Sequence, residues 1–188
     1  MTDTEYLDRY EKTLRDGLVK LCRGEGLLSE GKLQNSPDVN EVWDNSYLKD
    51  YVADAVVNFN EYPDAALAWA GFLGMAVAHN WDSDWAAHKA DPYSSYYGGR
   101  GFDDMDEHIL GEVLHLNAEH SQKVSRALNE CAAATLGLIR HEGIEPQTSL
   151  GFYTLVRSYS VIYEIGAAIE FKRLGYSMVK LSKNTHIA

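Results

Sequence analysis

The chain is poor in most of the residues that usually reveal a function. Only two cysteines, Cys22 and Cys131, occur in 188 residues. They lie far apart and form no close pair, which excludes a zinc-finger arrangement and a framework of disulfides. Two buried thiols in a reducing compartment are the reading that remains, and it places the chain in the cytoplasm. Basic residues are scarce, 17 against 28 acidic ones, for a net charge of -11. An acidic protein of this kind argues against a nucleic acid or an anionic membrane as partner, because both select a basic face. The opening MTDTEYLDRYEKT has no apolar core segment, so no signal peptide is expected. No β-hairpin signal and no internal repeat stands out. Neither nucleotide-binding fingerprint is present, and no Ser-His-Asp or Cys-His spacing marks a nucleophile.

Long apolar runs are also few. Ala65 to Trp81 is the outstanding one, free of Lys, Arg, Asp and Glu. Its length of about 17 residues is the lower limit for a bilayer span, and it is rich in Ala and Gly. Wound at about 100° per residue, it leaves no polar face, the mark of a buried helix. Ala65–Trp81 therefore reads as the core helix of a globular domain, with no membrane crossing. Beyond it the chain turns polar and aromatic at His79-Asn80-Trp81-Asp82-Ser83-Asp84-Trp85.

The remaining elements follow from helical spacing and punctuation. Tyr6, Tyr10, Leu14, Leu18 and Leu21 predict a first helix over 4–22, with Thr4 as its cap. Ser36-Pro37 opens a second over 36–61, with Val39, Trp43, Tyr47, Tyr51, Ala55 and Phe59 along one face. Pro63 opens the central helix, 63–90. A loop over 91–102 combines Gly, Pro and Ser with Tyr93, Tyr96, Tyr97 and Phe102, so it is expected to pack. A fourth helix spans 103–142, with Asp104 and Glu107 as a capping pair and a core stripe Ile109, Val113, Leu116, His120, Val124, Ala127, Cys131 and Leu138. A fifth spans 148–175 with two apolar stripes, one of them starting at Phe152. Tyr176–Leu181 would add a turn or an arm. Lys172, Arg173, Lys180 and Lys183 form a basic end read as solvated. The fold expected is an all-α, single-domain bundle of about five helices over 1–188, with connections that permit up-down order and with helices three and five the most buried.

Four constellations bear on chemistry. The first is the rim of the central helix with the following loop, where His79, Asp82, Trp85, Tyr96 and Arg100 mix titratable groups with aromatic walls as small-molecule pockets do. There Arg100 is expected to pair with Asp82 or Asp84. The plainer reading is a bundle end sealed by aromatics. The second is metal ligation by His79, Glu112 and His115, suggested by Glu112-x-x-His115, although no second such motif exists to complete a dinuclear site. The third, Asn80-x-Asp82-x-Asp84 with Asp91, lacks the glycine and glutamate of a calcium loop. The fourth, Gly98-Gly99-Arg100-Gly101, reads as a tight turn or hinge rather than a phosphate cradle, since Asp103 and Asp104 follow it. His120 reads as a hydrogen-bonded core residue. No cofactor is expected. The leading functional expectation is a non-enzymatic protein that acts by binding, as a homo-oligomer such as a homodimer. The alternative is a small-ligand protein or enzyme with its pocket at the end of the central helix.

Overall fold

The computed structural model describes residues 1–31 and 33–176. It is an all-α, single-domain bundle. Helix α1 is Asp3–Gly24 and α2 is Pro37–Val42, continued through a π-helical turn, Trp43–Tyr47, into α3, Leu48–Phe59. The central α4 is Pro63–His88. After the tyrosine loop come the short α5, Met105–His108, and a second π-helical turn, Ile109–Val113. Helices α6, Ala118–His141, and α7, Ser149–Arg173, complete the fold.

Helices α4 and α7 make the largest helix–helix contact in the molecule. They run parallel: Gly71 meets Gly166, Gly74 meets Ala167, His79 meets Glu170 and Trp81 meets Phe171. The close approach depends on glycine. A Cβ on Gly166 would lie 2.6 Å from the carbonyl carbon of Gly71, inside any real contact. The apolar stretch of the sequence thus pairs with the second all-round apolar helix, and residues 66–78 are buried except for Trp69. Helix α1 also runs parallel to α7, with Tyr10 bonded to Ser158 and Arg15 to Glu164. Helix α6 runs antiparallel to α1, since Tyr6 reaches Glu142 while Cys22 faces Cys131 at 3.5 Å. Helices α2 and α3 descend against α7, with Tyr163 bonded to Val39 and Trp43 to Ser160. Successive long helices therefore alternate in direction.

Four sequence expectations are corrected. Residues 103–142 are not one helix. His115 adopts φ 52°, and Asn117 is extended and caps α6 by accepting the His120 N–H at 2.9 Å. One residue of reversed handedness is invisible to an apolar stripe that continues on either side of it. His120 is consequently exposed in the first turn of α6, and the core face of α6 is Val124, Ala127, Leu128, Cys131, Ala132, Thr135, Leu136 and Ile139. Thr2, rather than Thr4, caps α1, through a reciprocal bond with Glu5. Phe152 is exposed, because the buried face at the start of α7 is the one that carries Gly151, Thr154 and Leu155. Arg157 and Glu164 on the flank of α7 meet α1 as ion pairs with Asp8, Glu11 and Arg15.

Among the described residues no helix is long and apolar enough to cross a membrane. Lys180 and Lys183, and the arm expected over 177–181, fall outside the described residues. Tyr176 packs on Trp81 and Phe171.

Candidate functional site

The end of α4 is shaped by a local departure from the helix. Asp84 is extended (φ -164°, ψ 85°), and its carboxylate accepts the Ala87 N–H at 3.1 Å. An aspartate can offer the backbone this alternative to the helical bond, and here it restarts the last turn as a cap does. That turn carries His88, whose Nδ1 lies 2.7 Å from Asp91 Oδ2.

The loop that follows folds back over the helix as expected from its aromatics. Tyr93, Tyr96 and Phe102 are buried. Burial of each ring contributes on the order of 2 kcal/mol. Tyr93 and Tyr97 both donate to Oδ2 of Asp54 on α3, the former at 2.9 Å. Tyr47 donates to the Asp91 carbonyl at 2.6 Å, and Asn80 donates to the Tyr96 hydroxyl at 3.0 Å. Burial pushes the Tyr96 phenol up to about 12, so it stays a neutral hydroxyl across the physiological range. The glycines after Tyr97 close a tight turn in which Gly98 and Gly101 exchange backbone hydrogen bonds and Gly101 takes φ 82°.

Between α4, this loop and the π-helical turn at Ile109–Val113 lies a cleft of about 310 Å³. Its wall combines His79, Asn80 and Ser83 of α4 with His88, Asp91, Ser95 and Tyr96 beyond it, and with Glu112, Val113 and His115. Three imidazoles and two carboxylates from separate segments share one hollow, and among the described residues neither Lys nor Arg is in its lining. The strained φ of His115 and the π turn both sit at this wall, and such departures cluster where a binding surface is shaped. His79 is held loosely. Its buried Nδ1 makes no hydrogen bond, and its nearest partner is Oε2 of the fully buried Glu170, at 3.5 Å. Glu112 is the exposed lip of the cleft and takes a 3.2 Å contact from His108.

Of the five residues expected at a ligand site, His79 and Tyr96 line this cleft and three do not. Asp82 accepts the Tyr176 hydroxyl. Trp85 packs half-buried against the core. Arg100 does not pair with Asp82 or Asp84. It is 71% exposed, and its nearest carboxylate is Asp104 at 3.6 Å, because the glycine turn directs it away from α4. Asp104 does not close a capping pair with Glu107; its carboxylate accepts the Arg100 N–H at 3.0 Å. The three residues of the metal alternative, His79, Glu112 and His115, do share the cleft wall. Among the described residues, however, no three His, Cys, Asp or Glu side chains come close enough to hold a metal ion. Sequence reasoning missed His88, and it weighed Asp91 only for a calcium loop. Position gave a signal for α4 alone, where 79, 80 and 83 share one helix face; His88 and Asp91 reach the cleft only through the kink at Asp84 and the turn that follows.

No family model matches the chain, and neither a curated protein nor a solved structure is detectably similar to it.

Proposed function

We propose that the protein acts by binding, and that the cleft beside the end of α4 takes a small polar ligand that carries positive charge. The observation behind this reading is the composition of the wall, in which Asp91 and Glu112 face one hollow with imidazole, hydroxyl and amide groups and, among the described residues, without a Lys or Arg. Two carboxylates grouped in this way favour an ammonium or guanidinium ligand, since charge-assisted hydrogen bonds are the stronger kind. A volume of about 310 Å³ suits about ten non-hydrogen atoms at about 30 Å³ each. Agmatine, with an amine and a guanidinium on a four-carbon chain, is a suitable probe. Calorimetric titration is expected to give saturable binding of agmatine and none of adipate, its dianionic counterpart in size. Glu112→Gln should weaken binding about tenfold without unfolding the chain, since that side chain is 77% exposed. Equal binding of adipate, or an unchanged affinity in the variant, would overturn the reading.

Self-association is supported by a separate observation. Val57, Tyr62 and Tyr153 are exposed, and all lie toward the opposite end of the bundle, at the end of α3, the start of α4 and the start of α7. Exposed apolar groups on one end suit a second copy as a partner. Native mass spectrometry tests it: a dimer is expected, and a monomer at every concentration would remove it.

A further inference from the structure

A second hollow, of about 170 Å³, lies where the ends of α1 and α7 meet the start of α6. Its floor is apolar, formed by Leu27, Val124 and Ile169. Its rim is basic, formed by Lys123, Lys172 and Arg173 beside His120, and among the described residues no Asp or Glu belongs to the lining. In a chain of net charge -11 such a grouping runs against the composition of the rest of the surface. From this arrangement we infer that the hollow is a binding site for a small amphiphilic anion, a short-chain monocarboxylate, independent of the cleft described above.

The cations of the rim are not equivalent. The charge of Arg173 is spent on Glu170, which it holds by two hydrogen bonds and which is fully buried. Lys123 and Lys172 instead converge on one turn of backbone. Lys172 Nζ donates to the Gly26 carbonyl at 2.7 Å. Lys123 Nζ lies 4.0 Å from the place a side chain would begin on Gly26. Gly26 itself has φ 75°, so the turn keeps that space open. The neighbouring acid, Glu25, is taken by Arg126 at 3.1 Å. Two ammonium groups directed at one glycine, with no carboxylate among the described residues of the lining, repel each other, and an anion placed between them removes that cost. The lysine stems and the apolar floor beneath them would cover a short hydrocarbon tail. At about 30 Å³ per heavy atom, the volume holds about six such atoms, enough for the carbons of a six-carbon acid with its carboxylate oxygens at the rim between the lysines.

The experiment follows methyl resonances of Leu27, Val124 and Ile169 while hexanoate, hexanamide and inorganic phosphate are titrated separately. Hexanoate is expected to shift them saturably, and the other two to bind at least tenfold more weakly, because one lacks the charge and the other the tail. Lys123→Ala, at an exposed position, should weaken hexanoate about tenfold. Arg140→Ala, on the same helix but outside the hollow, should change nothing. Phosphate equal to hexanoate, hexanamide equal to hexanoate, the absence of saturable shifts, or an unaffected Lys123 variant would each overturn the inference. None of these readouts depends on agmatine binding, so the two sites stand or fall separately.

Discussion

The parallel crossing of α4 and α7 is the packing on which the rest of the bundle rests, and one methyl group tests it. In Gly166→Ala the new carbon would sit 2.6 Å from the carbonyl carbon of Gly71 and 2.8 Å from its Cα, where ordinary contact begins at 3.4 Å. The Gly71 carbonyl oxygen lies nearer still, and backbone cannot rotate away as a side chain can, so the helices themselves must part. Overpacking of a tight core costs about 1–3 kcal/mol, and parting two long buried helices belongs at the upper end of that range. Alanine offsets up to about 1 kcal/mol of this through its better helix propensity. A net loss of about 2 kcal/mol is expected, which for a domain of this size lowers Tm by about 4–8 °C. The matched control is Gly137→Ala on α6, where nothing lies within 4 Å of the new carbon. There propensity acts alone, and the variant should gain up to about 1 kcal/mol. Urea denaturation of both variants, analysed for midpoint and slope, reads the difference directly. If Gly166→Ala is as stable as the parent or more so, the close crossing is not the packing of this protein.

Two further outcomes follow from the tyrosines. Burial raises the phenols of Tyr10 and Tyr96 from 10.0 to about 12 in the folded chain. The folded state therefore holds these protons more tightly than the unfolded one; that stability is full below pH 10 and is lost as pH climbs through about 12. Circular dichroism should show alkaline unfolding in that window, and a chain that ionises both phenols while remaining folded would refute it. Asp54→Asn removes the charged acceptor shared by Tyr93 and Tyr97 and should speed proteolysis between Asp91 and Asp103, whereas Arg100→Ala, at a side chain 71% exposed, should leave it unchanged. The reverse order of sensitivity would mean that the arginine, not the tyrosines, fastens the loop.

Much of the bundle was legible in order of residues alone. The all-round apolar character of Ala65–Trp81 foretold a buried helix, and α7 is its equal in burial. Pro37 and Pro63 marked helix starts, and both stand at the first position of their helices. The loop rich in tyrosine was expected to collapse, and it does. These properties are local: periodicity, proline geometry and the cost of wetting an aromatic ring act within a few turns of chain. The site was read only in part, because a cleft depends on which segments meet. His79 and Tyr96 belong to it, while Arg100 points elsewhere through the φ of one glycine turn. The break at His115 brings Glu112 and His115 to the wall, and an apolar stripe that resumes after the break conceals it. The basic hollow at Gly26 joins residues from three helix ends, whose charges look solvated when taken one at a time. Composition set the acidic balance, a sum over residues, and the spacing of apolar residues set the helical content, a property of order within a few turns. Tertiary structure alone decided where acceptors gather and where two lysines converge, since both depend on distances between segments remote in sequence.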